Sequence, residues 1–225
     1  MLENHIYKNV HLGNDVVIYP PCVIGMPPRG KSDGELETVI GDGSVIRPFT
    51  TIYAGVEIGN GFQSGQGASI REDNVIADDV SVGTHAVLEF GNRIGRGSRI
   101  HTGCFLEDVT LGESVFVGPN VTFTDDPHPM NCPHYLECAG GATVGAFAKI
   151  GANSTILPAI EIGEHVLIGA GTVVVREVRP RSVVVGNPAR EIGTIDELTC
   201  PPGFFERPYV WEPYTIENSS LKAED

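Results

Sequence analysis

Residues 40–70 read IGDGSVIRPFTTIYAGVEIGNGFQSGQGASI, a stretch in which an aliphatic residue returns at almost every sixth position. Stepping by six from Ile40 to Leu106 visits twelve positions, and eleven of them are aliphatic, with Ser64 as the exception. The pattern resumes one residue early at 111–123 and again, after an interruption, at 144–174. An α-helix repeats every 3.6 residues and a simple strand every second residue, so a period of six predicts short strands separated by regular turns.

Two further features of the repeat indicate how the turns close. The residue four places after each aliphatic position is usually small, as at Ser44, Thr50 and Ala68, and the residue one place after it is often Gly. We therefore expect the aliphatic and the small residue to point inward, with Gly at turns that are open to positive φ. Three units of six close one triangular coil of about 18 residues, and stacked coils pair as parallel strands about 4.8 Å apart. The predicted fold class is all-β, a parallel β-helix of about eight coils.

Two interruptions and a tail divide the chain. Segments 26–38 and 125–143 carry Pro and charged residues that do not suit a coil interior, so both are predicted to loop outward from a β-helix domain at 1–190. Residues 191–225 form a C-terminal tail, which we expect to pack on the β-helix or on a neighbouring subunit. Its aromatic residues are Phe204, Phe205, Tyr209, Trp211 and Tyr214. The last ten residues, 216–225, are predicted to be disordered.

Composition limits the partners and the compartment. The 225 residues carry a formal net charge of −14, which argues against nucleic acid or an anionic membrane surface as a partner. No apolar stretch reaches the roughly 18 residues of a transmembrane helix, and the N-terminus has no signal-peptide pattern. Five cysteines at irregular spacing indicate no disulfide framework, so we expect a reducing, cytoplasmic location.

Three stretches carry a family resemblance. Residues 173–190, VVVREVRPRSVVVGNPAR, resemble the terminal coil of the left-handed β-helix acyltransferases of the hexapeptide-repeat type, which ends in Gly-x-Pro-Ala-Lys/Arg. Residues 115–126, VFVGPNVTFTDD, and 150–158, IGANSTILP, are similar to nucleotide-sugar N-acetyltransferases that act on a 3-amino group of UDP- or dTDP-linked sugars. The resemblance covers about residues 10–190. It implies a left-handed coil, acetyl-CoA as acyl donor, and a homotrimer that binds the donor between adjacent prisms.

A fourth stretch, residues 24–51, resembles a loop of the UDP-N-acetylglucosamine O-acyltransferases of lipid A synthesis. That family also carries a catalytic His in a Gly-His-type coil and a later Val-His-Gln segment, and neither is present here. An acyl-carrier-protein donor is therefore not expected. The two families share a nucleotide-sugar acceptor, which both resemblances imply.

The repeat register places candidate catalytic residues on neighbouring coils. His101 follows the inward Ile100 and so points outward, and Asn120 is expected beside it one coil on. Asp125 and Asp126 lie at the mouth of the second loop. We predict that His101 accepts a proton, that Asn120 stabilises the oxyanion, and that one of the two carboxylates orients the acceptor. His128 is the next candidate for a functional histidine, and an amine acceptor can also react without a dedicated base.

The donor is expected to lie along the later coils. Arginines concentrate near residues 176–190 of an otherwise acidic chain, which is consistent with a site for the phosphates of CoA, although solvated turns would give the same pattern. Small outward turn residues would let the pantetheine arm lie flat on the wall. The predicted cofactor-binding residues are Asn153, Ala170, Gly171, Arg176, Arg181 and Arg190.

The second loop also contains a pattern that could hold a metal. It reads His128-x3-Cys132-x-His134-x3-Cys138, and Cys200 opens another Pro-rich turn. Three thiolates and one imidazole suit tetrahedral Zn²⁺, so a structural zinc on His128, Cys132, Cys138 and Cys200 is one interpretation. Reduced, partly buried thiols are the other.

Together these observations predict an acetyl-CoA-dependent acyltransferase that acetylates the amine of a nucleotide-linked amino sugar. Two alternatives stay open. One is an O- or N-acyltransferase that acts on another small metabolite, and the other is a non-catalytic β-helix scaffold subunit, since a β-helix does not by itself imply an enzyme.

Overall fold

The backbone of the computed structural model, which describes residues 3–128, 132–138 and 140–209, consists of short strands joined by tight turns. The first strands are β1 (His5–Ile6), β2 (Val10–Leu12), β3 (Val17–Ile18), β4 (Val23–Met26), β5 (Thr38–Ile40), β6 (Val45–Ile46), β7 (Thr51–Tyr53), β8 (Glu57–Ile58), β9 (Gln63–Ser64), β10 (Ser69–Ile70), β11 (Val75–Ile76), β12 (Ser81–Val82), β13 (Val87–Leu88) and β14 (Arg93–Ile94).

The remaining strands are β15 (Arg99–Ile100), β16 (Phe105–Leu106), β17 (Thr110–Leu111), β18 (Phe116–Val117), β19 (Thr122–Phe123), β20 (Thr143–Val144), β21 (Lys149–Ile150), β22 (Thr155–Ile156), β23 (Glu161–Ile162), β24 (Leu167–Ile168), β25 (Val173–Val174), β26 (Ser182–Val185) and β27 (Arg190–Thr194). A four-residue helix, α1 (Tyr135–Cys138), lies in the second loop, and a 3₁₀ turn spans Ile195–Glu197.

The strands form three sheets that wrap one axis. Face A has the order β1-β4-β7-β10-β13-β16-β19-β22-β25, face B has β2-β5-β8-β11-β14-β17-β20-β23, and face C has β3-β6-β9-β12-β15-β18-β21-β24-β26-β27. From β1 to β22 each strand pairs in parallel with the strand three places later, so the chain passes from A to B to C and returns one coil higher. Within the described residues the strands complete eight coils and begin a ninth. The predicted parallel β-helix is confirmed.

The predicted inward stack forms the core. Ile70 pairs with Ile52 below it and Leu88 above it, and all three side chains are fully buried. The small residues four places after each aliphatic position are buried as well. Ser64, the exception in the aliphatic column, is also buried, and its hydroxyl accepts the backbone N–H of Arg47 at 2.8 Å. A polar group is tolerated at that inward position because it is hydrogen-bonded.

Three corners join the faces, and we name them AB, BC and CA after the faces they connect. Corner AB buries two asparagines that the sequence pattern did not single out, Asn74 and Asn92. The Asn92 amide donates to the Glu89 carbonyl at 2.7 Å, and its oxygen accepts from the Val109 N–H at 2.9 Å. This contact lies where the repeat drops one residue, so Asn92 satisfies the N–H of the shortened turn.

Both interruptions leave the prism at corner AB. The first runs between β4 and β5, where Lys31 and Glu35 form an ion pair at 2.7 Å. The second follows β19 and is closed at its base, because the Gly140 N–H donates to the Asp125 carbonyl at 2.7 Å. Both segments therefore connect face A to face B, and their outward direction stays a prediction.

The C-terminal end of the repeat differs from the coils. Strand β26 continues face C in parallel, and β27 then pairs with it in antiparallel fashion. Of the tail aromatics, Phe204 is 82% exposed and Phe205 is 45% exposed, whereas the ring of Tyr209 lies over the Lys149 ammonium at 4.6 Å. Trp211, Tyr214 and the segment 216–225 predicted to be disordered lie outside the described residues. The helices within the described ranges are too short and too polar to cross a bilayer.

Removing one inward side chain should destabilise the stack locally. We expect Ile70→Ala to lower the free energy of unfolding by about 2–5 kcal/mol, because it opens a cavity between two neighbouring rungs. The matched control is Val75→Ala on face B, whose side chain is 38% exposed. Thermal and urea unfolding of both variants would check this, and equal losses in the two would contradict the assigned orientation.

Candidate active site

Corner CA carries five of the predicted site residues. Its turns occupy 83–86, 101–104, 118–121, 151–154 and 169–172, and they stack one above the next. The backbone N–H of Asn120 donates to the Thr102 carbonyl at 2.9 Å, that of Asn153 to Pro119 at 2.8 Å, and that of Gly171 to Ala152 at 2.8 Å. The third residue of each turn therefore lies directly above its counterpart one coil below.

The left-handed backbone of these turns explains the residue types. The φ angles are 57° at Asn120, 58° at Asn153 and 71° at Gly171. Such angles favour Gly and are tolerated by Asn. Gly103, at the same turn position, has the further constraint that a Cβ would run into the side-chain oxygen of Asn120. Because Gly103 has no side chain, the Asn120 side chain can lie directly against this turn, next to His101.

His101 opens its turn with an exposed ring. Its backbone N–H donates to the Val117 carbonyl at 2.9 Å, which holds the residue in the inter-coil ladder. The imidazole packs against the ring of Phe116, with centroids 5.0 Å apart. Since Phe116 projects outward from face C one rung above Arg99, the imidazole lies at the edge where face C meets corner CA.

A polar groove of about 310 Å³ lies below His101 on face C. It is lined by hydroxyl, amide and cationic groups, among them Gln63, Ser81, Thr84, Arg99, His101 and Thr102. Such groups can bind a ligand rich in hydroxyls, and the guanidinium of Arg99 can bind a phosphate or carboxylate. This groove was not predicted from the sequence, although its residues repeat at the outward position of face C and at corner CA.

The wall above His101 is flatter and built from small groups. The Asn120 amide donates to the Asn153 side-chain oxygen at 3.3 Å, so these two predicted residues are in contact. Ala170 and Gly171 are exposed, and a Cβ on Gly171 would meet no heavy atom within 4 Å. The structure therefore places His101, Asn120, Asn153, Ala170 and Gly171 on one corner.

The two predicted carboxylates lie at a different corner. Asp125 and Asp126 follow β19 and belong to corner AB, while Asn120 precedes β19 at corner CA. Face A lies between the two groups, so within one chain the carboxylates do not join His101. Asp126 instead accepts the backbone N–H of His128 at 2.7 Å and caps the start of the second loop.

A row of charged side chains runs along corner AB and ends at Asp125. Arg71 pairs with Glu72 at 2.8 Å and with Glu89 at 3.0 Å. Glu107 is the next rung, and burial raises its pKa to about 7, with the negative charges of Asp125 and Glu89 and a hydrogen bond to Asp125 adding to the effect. The sequence signal was a charged residue directly after the inward aliphatic at intervals of 18 residues, since Arg71, Glu89 and Glu107 follow Ile70, Leu88 and Leu106.

The predicted arginines are distributed over two environments. Arg176 and Arg190 line a cavity of about 360 Å³ at the C-terminal end of the prism, together with Arg179 and the apolar Val178 and Val184. Arg179 is paired with Glu191 at 2.7 Å. Arg181 does not line the cavity, because its guanidinium forms an ion pair with Asp196.

The structure does not support the predicted zinc site. In the described parts of the chain, no group of three or more His, Cys, Asp or Glu side chains is arranged so that it could hold a metal ion. Cys132, Cys138 and Cys200 are unpaired thiols, and His128 is exposed at the start of the loop. The spacing of these residues suggested ligands, but spacing across a loop and a tail does not set distances. Cys22 and Cys104 are buried core thiols.

The shifted pKa of Glu107 predicts a pH-dependent stability. Because its folded pKa of about 7 lies above the ordinary value of 4.5, its stabilising contribution is complete below pH 4.5 and is lost as the pH rises through 7. Glu107→Gln should therefore raise the melting temperature relative to wild type more at pH 8 than at pH 5.

Thermal unfolding at both pH values checks this, with the exposed Glu57→Gln as the control for the substitution itself. A Glu107→Gln effect that is the same at pH 5 and pH 8 would contradict the interpretation.

Comparison with known proteins identifies the family. The family model "Bacterial transferase hexapeptide (six repeats)" matches residues 141–176. Galactoside O-acetyltransferase of Escherichia coli (strain K12) is 30% identical over 165 residues, which cover 66% of this chain and 77% of that protein. Bifunctional protein GlmU of Thermotoga maritima is 33% identical over 206 residues, or 84% of this chain. The chain spans only 41% of the length of that relative.

A solved structure, the UDP-N-acetylglucosamine acyltransferase from Campylobacter jejuni, superposes with a TM-score of 0.71 at 20% identity and covers 84% of this chain and 72% of that chain. This likeness concerns the fold and confirms the predicted left-handed parallel β-helix. The 30% identity over 77% of the O-acetyltransferase, with the match to the hexapeptide family model, shows that the chain belongs to the hexapeptide-repeat acyltransferase family.

Proposed function

We propose that this chain transfers the acetyl group of acetyl-CoA to the amine of a nucleotide-linked amino sugar at corner CA. The observation that carries the proposal is the position of His101, which lies where the polar groove of face C meets the flat wall of small residues. The reaction joins a polar acceptor to a long, thin donor, so the acceptor groove and the donor wall have to meet. His101 is the titratable group at the place where they meet.

The groove supports a sugar acceptor below His101. Hydroxyl and amide groups of Gln63, Ser81 and Thr84 can hydrogen-bond a polyol, and Arg99 can bind an anionic phosphate. The chain has a net charge of −14, so the electrostatic field of the whole protein repels anionic ligands. The positive charge of Arg99 offsets this repulsion within the groove. A nucleotide-linked sugar combines hydroxyl groups with phosphates, so it fits both kinds of group.

The wall supports the donor above His101. A pantetheine arm is thin and flexible, and the exposed Ala170 and Gly171 leave room for it along the corner. The wall leads toward the end of the prism, where Arg176 and Arg190 can bind phosphates of CoA. Relatives named as acetyltransferases, including the E. coli galactoside O-acetyltransferase and putative acetyltransferases of Staphylococcus aureus, support an acetyl donor.

The residues of the corner can perform the transfer. The neutral amine attacks the thioester carbonyl carbon, the C–S bond breaks as the tetrahedral intermediate collapses, and CoA leaves as a thiolate. His101 can take the proton that the amine releases. Asn120 uses one amide hydrogen for Asn153 and retains a second, which can stabilise the oxyanion.

We include a homotrimer in the proposal, in line with the family resemblance. Within one copy, face A separates His101 from Asp125 and Asp126, so those carboxylates can orient an acceptor at His101 only if they come from a neighbouring copy. An arrangement of prisms around a threefold axis would let corner AB of one copy approach corner CA of the next.

A hydroxyl acceptor is the second candidate, because the relative with the greater coverage of its own length is named as an O-acetyltransferase. A hydroxyl needs a general base more than an amine does. His101 is available in that role, and His128, exposed at the start of the second loop, is the next candidate.

A thiol-release assay with acetyl-CoA and a panel of UDP- and dTDP-linked amino sugars, with galactosides in parallel, tests the function. We expect turnover on an amino sugar and a loss in kcat of about 10²- to 10⁴-fold in His101→Ala, because the proton acceptor is removed. His128→Ala is measured beside it, and His11→Ala, an exposed histidine of the first coil, is the control.

Turnover on galactosides alone would move the function to O-acetylation. An unchanged kcat in His101→Ala with a large loss in His128→Ala would move the base to the second loop. Absence of both turnover and CoA binding would favour the scaffold interpretation.

A bulky side chain on the donor wall should block acetyl-CoA. We expect Ala170→Phe to raise the KM for acetyl-CoA at least about tenfold with little change in melting temperature, because the position is exposed and needs no repacking. The control is Glu164→Phe, at the same turn position of the same coil on corner BC. Equal KM values in the two variants would place the donor elsewhere.

A further inference from the structure

The lower end of corner CA presents three large side chains that the proposed reaction does not use. Phe49, in the turn at 47–50, is 57% exposed, the largest fraction for any large apolar side chain described within residues 3–190. Arg47 opens the same turn, and its guanidinium lies over the ring of Tyr19 at 5.6 Å. Tyr19 holds the same place one coil below, because its backbone N–H donates to the Ile46 carbonyl at 2.9 Å.

The backbone of Phe49 is unusual for a bulky residue. Its φ angle is 66°, in the left-handed region that large side chains avoid. Phe147 has a similar φ of 60° at corner BC, but its ring stacks on the His165 ring at a centroid distance of 5.1 Å. Phe49 makes no such ring contact with the described residues. An exposed aromatic ring kept in a costly backbone conformation points to a surface that serves a ligand.

The first residues of the CA turns form a column that leaves open space between Arg47 and His101. Over the described turns from 19 to 169 this column reads Tyr19, Arg47, Gly65, Gly83, His101, Gly118, Gly151 and Gly169. A Cβ on Gly65 or Gly83 would collide with the backbone of the next coil. Arg47 and His101 are three rungs apart in face C, which is about 14 Å at the spacing of parallel strands. The polar groove lies beside this open stretch.

Face C and corner CA together form a wall without carboxylates. The chain has 29 Asp and Glu residues, and none lies in the eight segments 17–22, 45–50, 63–68, 81–86, 99–104, 116–121, 149–154 and 167–172. Arg47 and Arg99 lie on this wall and form no ion pair with a described carboxylate, in contrast to Arg71, Arg96, Arg179 and Arg181. An anionic ligand therefore meets two guanidinium groups whose charge no neighbouring carboxylate neutralises.

We propose that the lower end of corner CA binds the nucleoside diphosphate part of the acceptor. The diphosphate lies between the guanidinium groups of Arg99 and Arg47, and the base stacks on the ring of Phe49. The inference rests on the proposed function, because it needs the reacting sugar to lie at His101.

The connectivity of the acceptor sets the direction in which it lies. The sugar, the diphosphate and the nucleoside are joined in series, so a sugar held at His101 leaves the other two parts to follow the wall. The wall above His101 is assigned to the donor, and the groove and the open column therefore lead the acceptor downward to Arg47 and Phe49. The contact with Tyr19 holds the Arg47 guanidinium in place, which lowers the entropy lost when phosphate binds.

The two kinds of group have separate roles. A guanidinium hydrogen-bonds phosphate oxygens in pairs and is indifferent to the base. An aromatic ring stacks on any base, because every base has a π face. Phe49 thus favours a nucleotide over a bare diphosphate, and Arg47 favours both over an uncharged sugar.

Equilibrium binding of UDP, dTDP and inorganic pyrophosphate to the 225-residue chain, measured by calorimetry, tests the proposal. We expect Phe49→Ala to raise the Kd for UDP and dTDP at least about fivefold, because base stacking is lost, and to leave pyrophosphate unchanged. Phe49→Leu, which keeps an apolar side chain without a ring, should show the same selective loss. Arg47→Gln should weaken all three ligands at least about fivefold.

The matched controls are Phe90→Ala, an exposed ring at corner AB, and Arg96→Gln, an exposed guanidinium at corner BC. Both should bind the three ligands as the wild type does. CoA also carries a base and phosphates, so its Kd is measured on every variant, and it should not change in Phe49→Ala. Melting temperatures confirm that each variant is folded.

An equal Kd for UDP in Phe49→Ala and Phe90→Ala overturns the proposal, as does a failure of the wild type to bind UDP and dTDP. A loss confined to CoA overturns it too, because the donor would then occupy this end. The thiol-release assay on the same variants separates this result from the proposed function. Turnover on an amino sugar with an unchanged KM in Phe49→Ala retains the function and removes the nucleotide from Phe49, whereas UDP binding through Phe49 without turnover retains the nucleotide site alone.

Discussion

The parallel hydrogen-bond ladder between successive coils is the constraint on which the rest of the molecule depends. The Gly83 N–H donates to the Ile100 carbonyl at 2.7 Å, and the His101 N–H donates to the Val117 carbonyl at 2.9 Å, one coil after another. Each bond fixes a residue of one coil directly against its counterpart in the next. Because the inward aliphatic residues obey the same register, burial and backbone pairing favour a single alignment of the coils.

The ladder also turns sequence position into spatial position on the surface. A residue's place in the repeat decides its face or corner, and its coil decides its height along the axis. Asn120 and Asn153 consequently contact each other although 33 residues separate them. The same rule keeps His101 at corner CA and Asp125 at corner AB, since β19 must cross face A between Asn120 and Asp125. The function proposed for corner CA is thus a consequence of the register as much as of the chemistry of single residues.

The sequence predicted those features that depend on the register. It predicted the inward stack and the position of Asn120 beside His101 one coil on, because both follow from counting in sixes. It was wrong to group Asp125 and Asp126 with His101, because the mouth of the loop lies one full face away. Contacts between the coils and side chains from outside the repeat could not be predicted from the sequence either. Arg181 is held by Asp196 from the 3₁₀ turn, and Lys149 is covered by Tyr209 from the tail. Neither contact follows from the repeat, and the zinc interpretation failed for the same reason.

The central claim is that donor and acceptor meet at corner CA, and hydrogen exchange of the 225-residue chain with and without CoA tests it most directly. The account predicts slower exchange on CoA binding in the turns 118–121, 151–154 and 169–172, with little change in the turns of corner BC at 112–115, 145–148 and 163–166. Corner BC serves as the internal reference because it repeats the same turn geometry on the same coils. Protection confined to corner BC, or spread equally over both corners, would contradict the placement of the active site at corner CA.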